Sequence, residues 1–189
     1  MVNGFRVLSC YYYSFIEWCA VRNSWVKRFL VRCRREAYST ELKRTGVSRG
    51  DSVCVIGCGF WPYIVQMLAI DFRADVHAYD NNRFAVRNAR RYLNRNDNTK
   101  KITIEFGDGT EIDYSGFDLV IIAINVWPIY EVLTRIGQTL QIGKYVMVRG
   151  MRNDIDLLLA HGLNENFEKI DEVKHPRSQT SLLRLTTPI

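Results

Sequence analysis

The sequence predicts an α/β protein with a doubly wound, mostly parallel sheet. Three observations support this class: strands and helices alternate regularly after residue 50, a glycine turn follows the first strand, and 118–124 form the nearly continuous apolar run of a central parallel strand. With 189 residues, 47% hydrophobic and 24% charged, the chain fits one soluble domain with a sizeable core.

Residues 1–46 are expected to form a short helical segment that belongs to the same unit as the remainder, 47–189. Asn23 or Ser24 is a suitable N-cap for its second helix, and Gly46 a suitable stop. Helical spacing predicts one apolar face on that helix, composed of Val26, Phe29, Leu30, Cys33 and Ala37.

The first strand, 52–56, is a short run of β-branched and small apolar residues. It ends in Gly57-Cys58-Gly59, and Pro62 opens a helix over 62–71, because a proline in the first turn loses no hydrogen bond. The next strand, 75–79, ends at Asp80. An arginine-rich helix over 82–95 is expected to bury Phe84, Ala85, Asn88, Ala89 and Tyr92.

The alternation continues through the second half of the chain. The remaining predicted strands are at 102–106, 118–124, 144–149, 167–173 and 180–186, and the remaining predicted helices at 128–140 and 153–161. Connections of this kind imply parallel strands with helices on both faces of the sheet.

The net charge of +6 comes from the N-terminal segment, since residues 1–50 hold ten basic and three acidic side chains. Such a segment attracts anionic partners, including nucleic acid, although a solvated helix face is the interpretation we favour. The five cysteines form no CxxC pair, which argues against a disulfide framework or a metal site and favours the reducing cytoplasm. No apolar stretch is long enough to suggest a membrane span.

Three polar features follow successive strands, where an α/β sheet binds its ligands. They are Gly57-Cys58-Gly59, the pair Asp80-Asn81 about 20 residues further on, and Gly107-Asp108-Gly109. A carboxylate at the second strand suits two ribose hydroxyls, and Asp108 suits an adenine amino group. Each is also explained as a helix cap or a turn residue, but the three together predict a nucleoside site.

With Phe117-Asp118-Leu119-Val120-Ile121 at the fourth strand, these motifs resemble the class I S-adenosylmethionine-dependent methyltransferases over residues 50–150. The resemblance implies a seven-stranded, Rossmann-like sheet with an antiparallel last strand, and S-adenosylmethionine as cofactor. Trp61 stands at the family's third glycine, and Val55 where many members have an acid. The implied cofactor-binding residues are Gly57, Cys58, Gly59, Trp61, Asp80, Asn81, Gly107, Asp108, Gly109 and Asn125.

The pattern Gly-x-Gly-x-x-Pro without a preceding acid is also similar to nicotianamine synthases, which transfer the aminobutyrate arm of the cofactor instead of its methyl group. Further similar stretches are 117–123, 146–150 and His175-Pro176. Glu36, 21 residues before Gly57, is aligned with a glutamate in the helix that precedes their glycine turn.

The favoured hypothesis is a methyltransferase that acts on a small molecule. The alternatives are an aminobutyrate transferase like nicotianamine synthase, and a nucleic-acid-directed methyltransferase or RNA-binding module. An NAD-binding domain is disfavoured, since Trp61 replaces the third fingerprint glycine. The candidates for a catalytic base are Asp118 and Glu36.

Overall fold

The computed structural model of the chain describes residues 4–95, 101–124, 126–151, 155–156, 159–163, 165–175 and 178–189. The helices are α1 (Gly4–Arg22), α2 (Ser24–Arg44), α3 (Tyr63–Ile70), α4 (Arg83–Leu93) and α5 (Ile129–Thr139). The strands are β1 (Ser52–Ile56), β2 (Asp75–Asp80), β3 (Ile102–Phe106), β4 (Leu119–Ile122), β5 (Tyr145–Met151), β6 (Phe167–Lys174) and β7 (Ser178–Leu185).

All seven strands form one sheet in the order β3-β2-β1-β4-β5-β7-β6. β1 to β5 pair in parallel, whereas β7 runs antiparallel to both β5 and β6. This arrangement confirms the predicted mostly parallel, seven-stranded sheet. Because the chain reverses its direction of winding between β1 and β4, a crevice opens above their carboxyl ends.

Helices cover both faces of the sheet, and β1 contributes side chains to both layers. Val53 and Val55 pack in the core under α3 and α4, whereas Cys54 and Ile56 pack in the core under α5. This alternation is the period-two pattern of a strand that is buried on both faces.

The N-terminal segment forms α1 and α2, as expected. The Asn23 side chain accepts hydrogen bonds from the backbone N–H groups of Trp25 and Val26 and so caps α2. The helix ends just before Gly46, whose φ of 72° favours glycine. Within the described ranges, no helix is both long and apolar enough to cross a bilayer.

The predicted apolar faces of α2 and α4 need correction. Phe29 and Phe84 are exposed, and α4 buries Val86 and Leu93 instead. The buried side of α2 includes Leu30, Leu42 and the charged Glu41. Because this side contains a charged residue, a search for apolar residues alone assigned the buried face incorrectly. The helix expected at 153–161 lies partly outside the described residues, and Leu159–Leu163 form a π-helical turn.

Candidate functional site

A cavity of about 340 Å³ lies at the carboxyl edge of the sheet, above β1, β2 and β3 and beneath α1. It gathers residues from all three predicted features. Those that line it are Gly57, Gly59, Asp80, Asn81, Gly107, Asp108 and Gly109. The topology therefore brings together segments that are up to 52 positions apart in the sequence.

The glycine turn that follows β1 forms one wall of this cavity. Gly57 and Gly59 have φ values of 82° and 68°, which other residues rarely adopt. A Cβ atom at Gly57 would lie 2.7 Å from Val126 Cγ2, so any side chain there would force Val126 to move. The backbone here consequently remains bare toward the cavity, so that a ligand can approach it closely.

Asp80 at the end of β2 connects the glycine turn to α4. Its Oδ2 accepts a hydrogen bond from the Gly59 N–H at 2.9 Å, and its Oδ1 accepts one from the Asn82 N–H at 2.9 Å. Burial raises the pKa of this carboxyl, and the two backbone hydrogen bonds oppose the rise. A carboxylate has about four lone-pair sites, so each oxygen retains capacity for a further donor.

Asp108 holds the turn that follows β3. Its Oδ1 accepts hydrogen bonds from the backbone N–H of Thr110 at 3.0 Å and from the Thr110 hydroxyl at 2.9 Å. The buried Tyr114 hydroxyl donates to the Gly109 carbonyl at 2.7 Å, which fixes the same loop. Asp108 therefore stabilises the turn and also lines the cavity, so a role in the turn is compatible with a role in ligand binding.

Glu17 on α1 is a site residue that the sequence analysis missed. Its Oε2 accepts a hydrogen bond from the Phe60 N–H at 2.9 Å, so α1 lies directly over the glycine turn. Burial raises the pKa of Glu17 to about 7, against the effect of the Phe60 and Trp61 backbone hydrogen bonds. The available signal was that Glu17 is the only acid among the first 35 residues.

A second, smaller cavity of about 90 Å³ adjoins the first and shares Tyr13, Glu17, Gly57 and Ile124 with it. Its other lining residues include Arg34 and Tyr38 from α2, Cys58 and Trp61 after β1, and Arg149 from β5. Basic and aromatic side chains thus surround a space next to the glycine turn.

Arg149 is held in place from two sides. Its guanidinium lies 4.3 Å from the Tyr38 ring centroid, and its Nε lies 3.2 Å from Glu41 Oε2. The other oxygen of Glu41, Oε1, is 2.6 Å from His175 Nε2. His175 therefore binds the buried carboxylate of α2 and does not line either cavity.

Trp61 and Cys58 line the second cavity and not the first. The buried Trp61 Nε1 has no hydrogen-bond partner within the described part of the chain, so it is a donor available to a ligand. Burial raises the pKa of the Cys58 thiol, which disfavours a thiolate nucleophile. Asn125, the remaining predicted cofactor-binding residue, lies outside the described residues.

The structure separates both candidate bases from the cavities. Asp118 precedes β4 and so lies at the amino edge of the sheet, opposite the site. There it accepts hydrogen bonds from the Ser52 N–H at 2.9 Å and from Lys144 Nζ at 2.6 Å, and Lys144 lowers its pKa. Glu36 is exposed on α2 and lines neither cavity. The acids at the site are instead Asp80, Asp108 and Glu17, which line the first cavity, and Glu41 lies behind Arg149 of the second.

Comparison with solved structures gives strong matches. MtNAS, a nicotianamine synthase crystallised as a mutant, superimposes with a TM-score of 0.76 at 18% identity, over 97% of this chain and 74% of that chain. A SAM-dependent methyltransferase from Aquifex aeolicus gives a TM-score of 0.65 at 14% identity, over 79% of this chain and 89% of that chain.

An RNA methyltransferase from Salinibacter ruber, in complex with S-adenosyl-L-homocysteine, gives a TM-score of 0.66 at 15% identity, over 82% of this chain and 93% of that chain. No protein-family model matches the sequence, and no curated protein matches it significantly. These likenesses show the fold: the chain has the α/β fold of class I S-adenosylmethionine-dependent methyltransferases, which nicotianamine synthase shares. Within that fold, the likeness to MtNAS also covers the two N-terminal helices, since it extends over 97% of the chain.

Proposed function

We propose that the protein is a transferase that binds S-adenosylmethionine in the 340 Å³ cavity and transfers a group from it to a small molecule. The observation that carries the proposal is the joint position of the bare glycine turn, Asp80 and Asp108 around one cavity. MtNAS has been crystallised with S-adenosylmethionine and the Salinibacter ruber enzyme with S-adenosyl-L-homocysteine, which supports this choice of cofactor.

In this proposal the residues of the cavity bind the cofactor by its polar groups. The remaining acceptor capacity of Asp80 suits the ribose hydroxyls, and Asp108 suits the adenine amino group. Gly57 and Gly59 allow the backbone to approach the ligand. The bound cofactor would supply an electrophilic sulfonium, so the protein has mainly to position an acceptor beside it.

The second cavity is the proposed acceptor site. Its volume of about 90 Å³ suits a small molecule. Arg34 and Arg149 favour an acceptor that carries a carboxylate, and the unpartnered Trp61 Nε1 adds a donor. Glu17 lines both cavities, and with a pKa of about 7 it is suited to accept a proton from an amine acceptor.

The group transferred has two candidates. Methyl transfer is the first, because it requires only an aligned nucleophile next to the sulfonium. Aminobutyrate transfer is the second, and one observation favours it: MtNAS matches this chain from α1 onwards, whereas the Aquifex aeolicus methyltransferase covers 79% of it. The two reactions leave different nucleosides, S-adenosylhomocysteine and methylthioadenosine respectively.

The test is mass spectrometry of the nucleoside that the protein forms from S-adenosylmethionine in the presence of the small-molecule fraction of a cell extract. We expect S-adenosylhomocysteine from methyl transfer, while methylthioadenosine would select the second candidate. The Asp80→Ala variant serves as the control for turnover outside the cavity. If calorimetry detects no binding of S-adenosylmethionine to the wild-type protein, the proposal is wrong.

A further inference from the structure

One outer surface of the molecule combines exposed aromatic rings with arginines. It consists of the outward sides of the C-terminal half of α1, the N-terminal half of α2 and α4, and we call it the aromatic–basic surface. Its most exposed rings are Trp25 at 78%, Phe84 at 70% and Phe29 at 65%, followed by Phe15 at 62%. Large rings so open to water are unusual in a monomer and indicate a surface that binds a partner.

The aromatic rings of α1 and α2 follow helical spacing. Trp25, Arg28, Phe29 and Arg32 are all exposed and fall at positions i, i+3, i+4 and i+7, on one side of α2. This stripe therefore alternates flat rings with guanidinium groups. Neither cavity is lined by any of its members.

The α1 part of the surface is already arranged as a stack. The rings of Phe15 and Trp18 are nearly parallel, with centroids 6.2 Å apart and an interplanar angle of 21°. The Arg22 guanidinium lies 4.3 Å from the Trp18 ring centroid. Stacked rings beside a guanidinium are suited to a planar ligand that also carries negative charge.

Charge on this side of the molecule is strongly positive. The N-terminal half of α2, residues 24–34, carries four basic residues and no acidic one, and α4 likewise carries four basic residues and no acidic one. The excess on these two helices is larger than the net charge of +6 of the whole chain. Lys27 of α2 lies 4.8 Å from the Tyr92 ring centroid of α4, which brings the two helices together.

The aromatic–basic surface extends to the rim of the 340 Å³ cavity. Asn82, which caps α4 and lines that cavity, marks this end. The other end is the junction of α1 and α2 near Arg22. A partner that lies along α4 would therefore pass beside the opening of the candidate cofactor site.

We propose that the aromatic–basic surface binds single-stranded nucleic acid. Unpaired bases stack on exposed rings, and phosphates pair with arginines, which is how proteins bind single strands without strong sequence preference. Paired bases in a duplex cannot reach these rings. A second copy of the chain would bring two strongly positive surfaces together, which like-charge repulsion disfavours. This inference is independent of which group the proposed transferase transfers.

The test is fluorescence anisotropy with a fluorescein-labelled oligo(U) or oligo(dT) of fifteen nucleotides, compared with a duplex of the same length. We expect the single strands to bind at least tenfold more tightly than the duplex. Raising the salt from 50 to 200 mM should weaken binding by at least about tenfold. Binding releases counterions from the phosphates, and this release is less favourable when the salt concentration is higher. We also expect similar affinities for oligo(U) and oligo(dT), because base stacking and phosphate pairing do not involve the sugar.

Two sets of variants assign the binding to the surface. The double variant Trp25→Ala/Phe29→Ala should bind the oligonucleotide at least tenfold more weakly, whereas Ile142→Ala, an exposed apolar residue before β5, should not change the affinity. Arg28→Gln should reduce the salt dependence, and it should do so more than Lys43→Gln, the matched charge change at the far end of α2.

Each variant is also tested for binding of S-adenosylmethionine, and all of them should retain it. This measurement distinguishes a failure of the nucleic-acid inference from a failure of the proposed transferase function. Equal affinity for duplex and single strand, no binding at 50 mM salt, or unchanged binding by Trp25→Ala/Phe29→Ala would overturn the inference. So would capture by vesicles of anionic lipid in preference to the oligonucleotide. A dimer in solution that Trp25→Ala dissociates would identify a second copy as the occupant and would likewise overturn it.

Discussion

Asp80 has a structural role in the turn and, in the proposed function, a second role in binding the cofactor. Its two oxygens hold the Gly59 and Asn82 N–H groups, so the carboxylate both shapes the turn and faces the cavity. We expect Asp80→Ala to weaken binding of S-adenosylmethionine by tenfold or more, since a lost charge-assisted hydrogen bond costs about 1.5–3 kcal/mol. Isothermal titration calorimetry measures this affinity.

The matched control for this prediction is Asp75→Ala. Asp75 is on the same strand but at its amino end, where it pairs with Lys101 at 2.7 Å. Its loss should leave the affinity unchanged within experimental error. Equal weakening by both variants would mean that Asp80 acts only through the general stability of β2.

The buried carboxyl of Glu17 should make the stability of the protein depend on pH. Its pKa is raised to about 7 in the folded protein, from an ordinary value of 4.5, so the folded state binds more protons than the unfolded state between these limits. Stability must then fall as the pH rises from 5 to 8. Glu17→Gln removes this contribution, and the wild-type protein should lose about 2 kcal/mol relative to the variant over that range.

Urea denaturation at pH 5, 6, 7 and 8 provides the free energies of unfolding for both proteins. Asp80, whose pKa is also raised by burial, remains in both proteins, and because its charge raises the pKa of Glu17, the difference measures Glu17 together with that interaction. The same pH dependence in the wild type and in Glu17→Gln would show that the Glu17 carboxyl is not the buried acid described here.

Among the secondary-structure elements, the sequence predicts the positions of the strands better than the buried faces of the helices. β1 and β4 lie within the predicted apolar runs, because central parallel strands are buried on both faces and therefore have continuous apolar sequences. Helices show only one buried side. In α2 that side carries the charged Glu41, so a purely apolar pattern selected Phe29, which is exposed.

The residues of the candidate site that the sequence predicted are those placed by strands, and one that it missed is placed by a helix. Gly57 and Gly59 lie in the turn after β1 and Asp80 is the last residue of β2, and the topology of a parallel sheet brings such positions to one edge. Glu17 reaches the site from α1, and Arg149 reaches the second cavity from the end of β5. The place of Glu17 depends on how α1 crosses the sheet, which no local spacing encodes. Arg149 lies on a parallel strand, but the sequence around it contains no glycine turn or strand-end acid that would have marked it.

At the scale of the whole molecule, α2 connects the N-terminal helices to the antiparallel end of the sheet. Its Glu41 lies between Arg149 of β5 and His175, which follows β6. Asp171 of β6 also pairs with Arg44, at 2.8 Å, but that ion pair is exposed to solvent and contributes little. Among these polar contacts, the attachment of α2 thus depends mainly on one buried carboxylate.

Glu41→Gln should therefore destabilise the entire fold, because it leaves the Arg149 guanidinium buried without its counter-charge. Breaking one side of a buried ion pair costs about 3–5 kcal/mol, which a decrease in the urea midpoint with an unchanged m-value would reveal. Glu36→Gln, an exposed position on the same helix, is the matched control and should change stability by less than about 0.5 kcal/mol. If both variants unfold at the same urea concentration, the buried ion pair does not hold α2 against the sheet, and the packing of Leu30 and Leu42 must do so instead.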